Sequence, residues 1–392
     1  MPNAVLVDIV RSPMGRGKSG GSLASTHPVE LLSQVLKTLV TRSGIDPGEV
    51  DDVIVGCVGQ ISEQAATPGR QAWLSAGFPI SVPSTTIDRR CGSGQQAIDF
   101  AVQGVMAGAY EVVIAGGLES MSHIPMGKHR LGADPEGPGV HARFPNLVRQ
   151  GIAAELIADK YGLSRTALDT LSAESHARAH AAQSQGLFDP HLVPVTRPDG
   201  EVVHSDETIR PGTTAEILSG LTPAFATDEM RAQFPELEWK ITAGNSSQIT
   251  DGAGAALIMS EERAARLNLN PRARVVASTA VGSDPVLMLT GVIPATHKVL
   301  DRAKLSIDEI NQVEVNEAFA SVPLAWHCEF PIDGGRLNRL GGAIALGHPL
   351  GASGLRLLSS LLTTLATENE RYGLQTMCEA GGMANAMIIE RL

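Results

Sequence analysis

At 392 residues the chain is longer than one simple core organises, so two or three domains are expected. A net charge of −11 without any Lys/Arg-rich run argues against nucleic acid as a partner, and no apolar run reaches membrane-spanning length. Aromatics make up only 4% while glycines number 41, so the interior must pack on Ala, Val, Ile and Leu between tight strand–helix junctions.

The N-terminus, Met1-Pro2-Asn3 followed by Ala4-Val5-Leu6-Val7, opens directly into a strand pattern over 4–10, with no signal-peptide signature. Apolar residues at Leu31, Leu32, Val35, Leu36 and Leu39 predict a helix over Pro28–Leu39. Val53–Gly56 reads as a strand, Arg70–Ala76 as a helix and Ser84–Ile87 as a strand. From Ile98 the spacing Ile98, Ala101, Val102, Val105, Met106 is one face of a helix. Cys91 therefore stands at a helix N-terminus, where free N–H groups and the dipole favour a thiolate. The small Gly92, Ser93 and Gly94 behind it permit close approach by a ligand or another backbone. A small buried hydrophobe is the alternative reading of this cysteine. Glu111–Gly117 is a further buried strand, and strands alternating with helices predict parallel α/β architecture.

From Met121 to about Thr250 the texture changes. Residues 121–150 are rich in Gly, Pro and His, and carry Lys128, His129, Arg130, Arg143 and Arg149. Helical patterns follow at 152–160 and 165–185, the latter with Ser164 as N-cap and Gly186 past its end. This section reads as an insertion. Beyond it the first half repeats: Val50–Gly56 matches Ile310–Asn316, and Cys91-Gly92-Ser93-Gly94 matches Gly351-Ala352-Ser353-Gly354, both at an offset of 260 (316 − 56; 351 − 91). A third match pairs Ile114–Gly117 with Glu379–Gly382 at an offset of 265 (379 − 114). The expected organisation is thus an N-terminal half over 1–120, an inserted loop domain over 121–250 and a C-terminal half over 251–392.

Polar groups collect in the second half at Asn316-Glu317-Ala318-Phe319, at Gly347-His348-Pro349-Leu350-Gly351 and at Cys378-Glu379-Ala380-Gly381-Gly382. A duplicated sheet brings Cys91 from one half beside His348, Asn316 and Cys378 from the other. The four cysteines, Cys57, Cys91, Cys328 and Cys378, contain no C-x-x-C pair, which suits a reducing compartment and a cytoplasmic protein.

These stretches resemble the thiolase family, the acetyl-CoA C-acyltransferases, over essentially the whole chain. The resemblance implies a duplicated thiolase-like α/β fold: two similar halves with mixed sheets layered between helices, plus the inserted loop domain. It implies that Cys91 is the acylated nucleophile, activated by the helix end and His348, and that Cys378 is the α-carbon acid/base. One oxyanion hole would combine His348 with a water held by Asn316; the other would use the N–H groups of Cys91 and Ala380. Coenzyme A is the co-substrate, with no metal or permanent cofactor. Ser247, Phe225, Ala243, Ala318 and Phe319 are the residues expected along the CoA and substrate channel. A homo-oligomer, dimer or tetramer, is the expected assembly.

The chain departs from the family pattern at Ala380, usually Gly, and at Glu379, whose charge beside Cys378 would raise that thiol's pKa if it pointed inward. It departs again at Gln150–Glu155, at Thr222, and in an apparent insertion between Phe225 and Ala243. The expected reaction is reversible, CoA-dependent cleavage of 3-ketoacyl-CoA; formation of acetoacetyl-CoA is the alternative. A non-catalytic scaffold or lipid carrier on the same fold is the alternative of a different class.

Overall fold

In the computed structural model, which describes residues 3–392, the strand pattern read at the N-terminus begins at Ala4; Met1 and Pro2 lie outside the described residues. The first half contributes β1 (Ala4–Arg11), β2 (Gly15–Arg16), α1 (Pro28–Ser43), β3 (Asp52–Gly56), α2 (Pro68–Ser75), β4 (Ser84–Ile87), α3 (Ser93–Met106) and β5 (Val112–Ser120). The middle section holds α4 (Gly137–Arg143), α5 (Gln150–Lys160), α6 (Arg165–Ser184), β6 (Val195–Thr196), β7 (Val202–Val203), α7 (Ala215–Ser219) and α8 (Asp228–Gln233). There follow β8 (Thr250–Ser260), α9 (Glu261–Arg266), β9 (Ala273–Gly282), α10 (Val292–Ala303), β10 (Gln312–Val315) and α11 (Ser321–Glu329). The chain closes with α12 (Ala343–Leu346), α13 (Ser353–Thr367), β11 (Tyr372–Glu379) and β12 (Met383–Arg391).

Local signals set these boundaries. Proline fills the first turn of α1, the His27 ring accepts from the Val29 N–H at 3.2 Å, and Gly44 closes the helix at φ +70°. The Ser164 hydroxyl accepts from the Ala167 N–H to cap α6, and Gly186 turns the chain at φ +69°.

The strands run in the order β10-β11-β12-β9-β1-β8-β5-β3-β4, with β2 on β8. In the first half β1–β8 and β8–β5 are antiparallel and β5–β3 is parallel. In the second half β9–β12 and β12–β11 are antiparallel and β11–β10 is parallel. The two halves thus share one topology, and they join through the short antiparallel pair Val5↔Arg274 and Leu6↔Ala273. The duplication holds at a constant offset of 260 for β3 and β10 (312 − 52), α3 and α13 (353 − 93) and β5 and β11 (372 − 112).

Two expectations are corrected by this topology. Gly116-Gly117 lies within β5, whereas Gly381-Gly382 forms the β11–β12 turn at φ +91° and +78°, so the match at 265 joins non-equivalent sites. Residues 251–260, assigned from sequence to the second half, belong to β8, which pairs with β1 and β5 and completes the first half's sheet.

Alternation along the strands builds the layers. Val5 and Val7 of β1, with Val112 and Ile114 of β5, pack under α1 and α2. Leu6 and Ile9, with Val113 and Ala115, face the opposite way into a core shared by α3, α13 and the β12 residues Met387 and Ile389. The far side of the second half is covered by α10, α11 and α5. The paired helices α3 and α13 therefore lie in the middle of the molecule, and their N-termini carry the polar residues singled out above.

Candidate active site

Cys91 sits in the tight turn between β4 and α3. The Ser93 hydroxyl accepts from the Arg89 N–H at 2.8 Å and donates to the Arg90 carbonyl at 2.6 Å, while Asp88 accepts from the Arg90 N–H at 2.6 Å. Arg90 is held at φ +51°, a conformation that costs a non-glycine residue energy and that this bracing maintains. The thiol is 4% exposed. Burial, then the Glu379 charge, pushes it up to about 12, while its own N–H and that of Ala380 bear on the sulfur and pull the other way. The expected helix-end activation is thus outweighed in the resting state, and Cys91 rests as a neutral thiol. Ala380 takes no positive φ; the turn confines that demand to Gly381 and Gly382, so alanine at 380 still presents its N–H.

Asn316 follows β10, and its side-chain amide lies 3.4 Å from His348 Nε2. On the other side of the ring, His348 Nδ1 is 2.6 Å from the Ser353 hydroxyl. That hydroxyl donates its only hydrogen to the Pro349 carbonyl at 2.8 Å, so it accepts from Nδ1–H and leaves Nε2 as the bare acceptor. Burial, then the Arg356 charge, lowers the His348 pKa to about 3, which keeps the imidazole neutral. The His348 N–H is fixed by the Gln248 carbonyl at 3.2 Å and by Thr250 Oγ1 at 3.1 Å. Asn316 Oδ1 is buried without a partner among the described residues, an acceptor open to a bound water.

Cys378, next to last on β11, is fully buried. Its pKa is raised well above the usual thiol value by burial, then by the charge that Cys91 carries once it is a thiolate and then by Glu379. Cys91 shares a small core cluster with Met377, the residue before Cys378, so the two thiols lie close across the joint between the halves. A thiol that keeps its proton at neutral pH is equipped to act as an acid.

Backbone contact between the halves assembles these parts. A Cβ at Gly94 would lie 2.5 Å from the Gly351 carbonyl, and one at Gly354 would lie 2.3 Å from the Gln95 nitrogen. The repeated small-residue segments read from the sequence thus dock on each other. Glu119 locks the joint: its carboxylate accepts from Val58 N–H and Gly59 N–H in the first half and Gly351 N–H in the second, at 2.9–3.0 Å. Sequence reasoning overlooked both Glu119 and Ser353. The signals were an acid ending the otherwise apolar run Val112–Leu118, and the hydroxyl of the Gly351–Gly354 repeat.

The residues expected along the substrate channel form one cluster beside Asn316. Ser247 N–H donates to the Ala318 carbonyl at 3.0 Å and Ala320 N–H donates to the Asn245 carbonyl at 2.9 Å, so segments 245–247 and 318–320 run side by side. Phe319 meets Phe225 edge-to-face at 6.0 Å, and the Phe225 ring packs on Gly151 of α5. Ala243 is exposed at the start of the segment. The basic side chains Lys128, Arg130, Arg143 and Arg149 point to solvent.

Residues 4–262 match the family model described as thiolase, N-terminal domain, and residues 269–391 match thiolase, C-terminal domain. The chain is 43% identical to a Mycobacterium tuberculosis protein named steroid 3-ketoacyl-CoA thiolase FadA6, covering 100% of this chain and 95% of that one. It is 41% identical to a 3-ketoacyl-CoA thiolase of Photobacterium profundum, with both chains fully covered. Among solved structures, the acetyl-CoA acetyltransferase of Bacillus anthracis superposes with a TM-score of 0.89 at 37% identity, over 100% of this chain and 99% of that one.

Proposed function

Because this chain belongs to the thiolase family, we propose that it cleaves 3-ketoacyl-CoA with free coenzyme A to give acetyl-CoA and a shortened acyl-CoA. The observation that carries this reading is that the Cys91 turn packs against Met377 and Glu379, the two neighbours of Cys378, while the contact of Gly94 with Gly351 brings the His348 turn of the other half to the same place. A hydrolase of Cys–His–Asn type needs no such second thiol.

In the proposed cycle the Cys91 sulfur attacks the 3-keto carbon as its proton passes to His348 Nε2. The C2–C3 bond breaks, its electron pair forms the acetyl-CoA enolate, and the Cys378 thiol protonates C2. The acyl group remains on Cys91. Incoming coenzyme A returns a proton to Cys378 and attacks the acyl carbonyl, whose developing oxyanion is met by the Cys91 and Ala380 N–H groups. Cys91 leaves as a thiolate and recovers its proton from His348, which balances the cycle. The thioester acidifies its own α-carbon, so coenzyme A as co-substrate suffices and no resident cofactor is called on. Ser247, Phe225, Ala243, Ala318 and Phe319 are proposed to contact the CoA and acyl chain.

Run in reverse, the same groups form acetoacetyl-CoA, a reading favoured by the likeness to the Bacillus anthracis acetyltransferase. We also propose a homo-oligomer, since Met126, Leu131 and Val140 of the 121–150 section expose apolar side chains. Among the described residues no helix is long and apolar enough to cross a membrane. Two working thiols require a reducing compartment, so the cytoplasm is the proposed location.

Loss of acetoacetyl-CoA in the presence of coenzyme A separates the enzyme from an idle scaffold, which would show no turnover. Cys91→Ser is expected to abolish the acyl-enzyme. Cys378→Ala is expected to keep acylation by acetyl-CoA while losing carbon–carbon cleavage; equal loss of both steps contradicts the division of roles.

A further inference from the structure

Glu379 is a fully buried carboxyl beside Cys378, and neither of its oxygens has a hydrogen-bond partner among the described residues. It is aimed at the residue that follows the nucleophile: a Cβ at Gly92 would lie 2.0 Å from Glu379 Oε1 and 2.6 Å from Asn385 Nδ2. Gly92 has φ −81° and ψ 2°, angles open to any residue, so glycine is required there for space alone. The carboxyl and the Asn385 amide, which donates to the Gly92 carbonyl at 3.0 Å, occupy that space and seat the first turn of α3. Nothing in the proposed cycle uses this acid.

We propose that Glu379 is a positioning residue for the nucleophile, whose uncharged carboxyl backs the Cys91 turn and whose charge, once formed, suppresses the Cys91 thiolate. The inference rests on the reading of Cys91 as nucleophile. An isolated carboxylate without donors is costly in such a site, whereas the neutral acid is tolerated. Burial first, with Asp99 of α3 and Asp88 of the turn adding to it and Arg89 opposing, raises the Glu379 pKa to about 8. Asp99 is itself buried and pushed up to about 8, so this side of α3 carries little negative charge at neutral pH. Glu379 is also the largest charge bearing on Cys91 and acts on Cys378 as well, so its ionisation opposes both thiolates.

The test is the rate of Cys91 alkylation by iodoacetamide as a function of pH, followed by peptide mass spectrometry so that the other cysteines do not interfere. In the wild type the logarithm of the rate should rise with pH, flatten as Glu379 ionises, and then rise again. In Glu379→Gln the flattening should vanish, and the variant's advantage should grow to about tenfold at alkaline pH, the scale of one nearby charge in a partly screened site. Glu379→Asp keeps the charge and should keep the flattening. Superimposable wild-type and Gln profiles overturn the proposal, because a packing role alone would not change their shape. If the Gln variant does not fold, a wild-type profile that follows a single-proton curve overturns it equally. A wild-type enzyme that acetyl-CoA fails to acylate on Cys91 refutes the nucleophile reading instead, and the two failures are distinct.

Discussion

The side chain that fixes the chemistry of His348 is Ser353, whose hydroxyl has one hydrogen and gives it to a carbonyl. Its acceptance from Nδ1 determines which ring nitrogen is free to take a proton. Ser353→Ala leaves that N–H buried and unpaired, at a cost of about 1–3 kcal/mol, and lets the ring change tautomer. The expected result is a kcat for thiolysis reduced by about 10- to 100-fold, the scale of that energy expressed as a rate, with little change in KM for coenzyme A. Steady-state kinetics check it. Cys91, His348, Cys378 and Asn316 became candidates in the sequence through their joint placement in ordered motifs, each being ordinary on its own. Ser353 did not, because a serine at a helix start has an ordinary capping explanation, and only its distance to the ring gives it another.

At the scale of elements, α3 and α13 can cross only where their first turns lack side chains. Gly94→Ala places a methyl 2.5 Å from the Gly351 carbonyl, which must move and take the His348 turn with it. The expected cost is about 1–3 kcal/mol in urea unfolding, as for other overpacked sites. Gly139 in α4 meets nothing within 4 Å, so Gly139→Ala should be neutral or stabilise by up to about 1 kcal/mol. The repeat of small residues at offset 260 was visible in the sequence, and so was the helix that each copy opens. That the copies pack against each other was not, since that contact joins residues about 260 positions apart in the chain.

For the molecule as a whole, buried titrating groups set how stability varies with pH. His348 and His191 are lowered to about 3 and His176 to about 4, chiefly by burial. Their unfolded forms take up protons below the ordinary value of 6.5, so their contribution is complete above 6.5 and is lost as pH falls through 4 for His176 and toward 3 for His348 and His191. Asp99, Glu314 and Glu379 are raised to about 8, again chiefly by burial, so their contribution is complete at acid pH and is lost as pH rises through 8. The melting temperature should therefore peak near pH 6 and fall toward pH 9; a rise over pH 7–9 contradicts the burial of these acids. The sequence raised an inward Glu379 only as a condition, and it gave no sign of the burial of Asp99, because a lone acid in a helix looks the same whether it faces water or the core. The sequence by itself determined the alternating strands and helices and the duplication, which follow from local periodicity, and its motifs supplied the candidate reactive side chains through their resemblance to a family. Only the tertiary structure decided that strand 250–260 completes the first half, that burial leaves both thiols and the imidazole neutral at rest, and that Glu379 lies against Gly92. Each of those depends on which surfaces meet across the two halves, and local spacing carries no record of that.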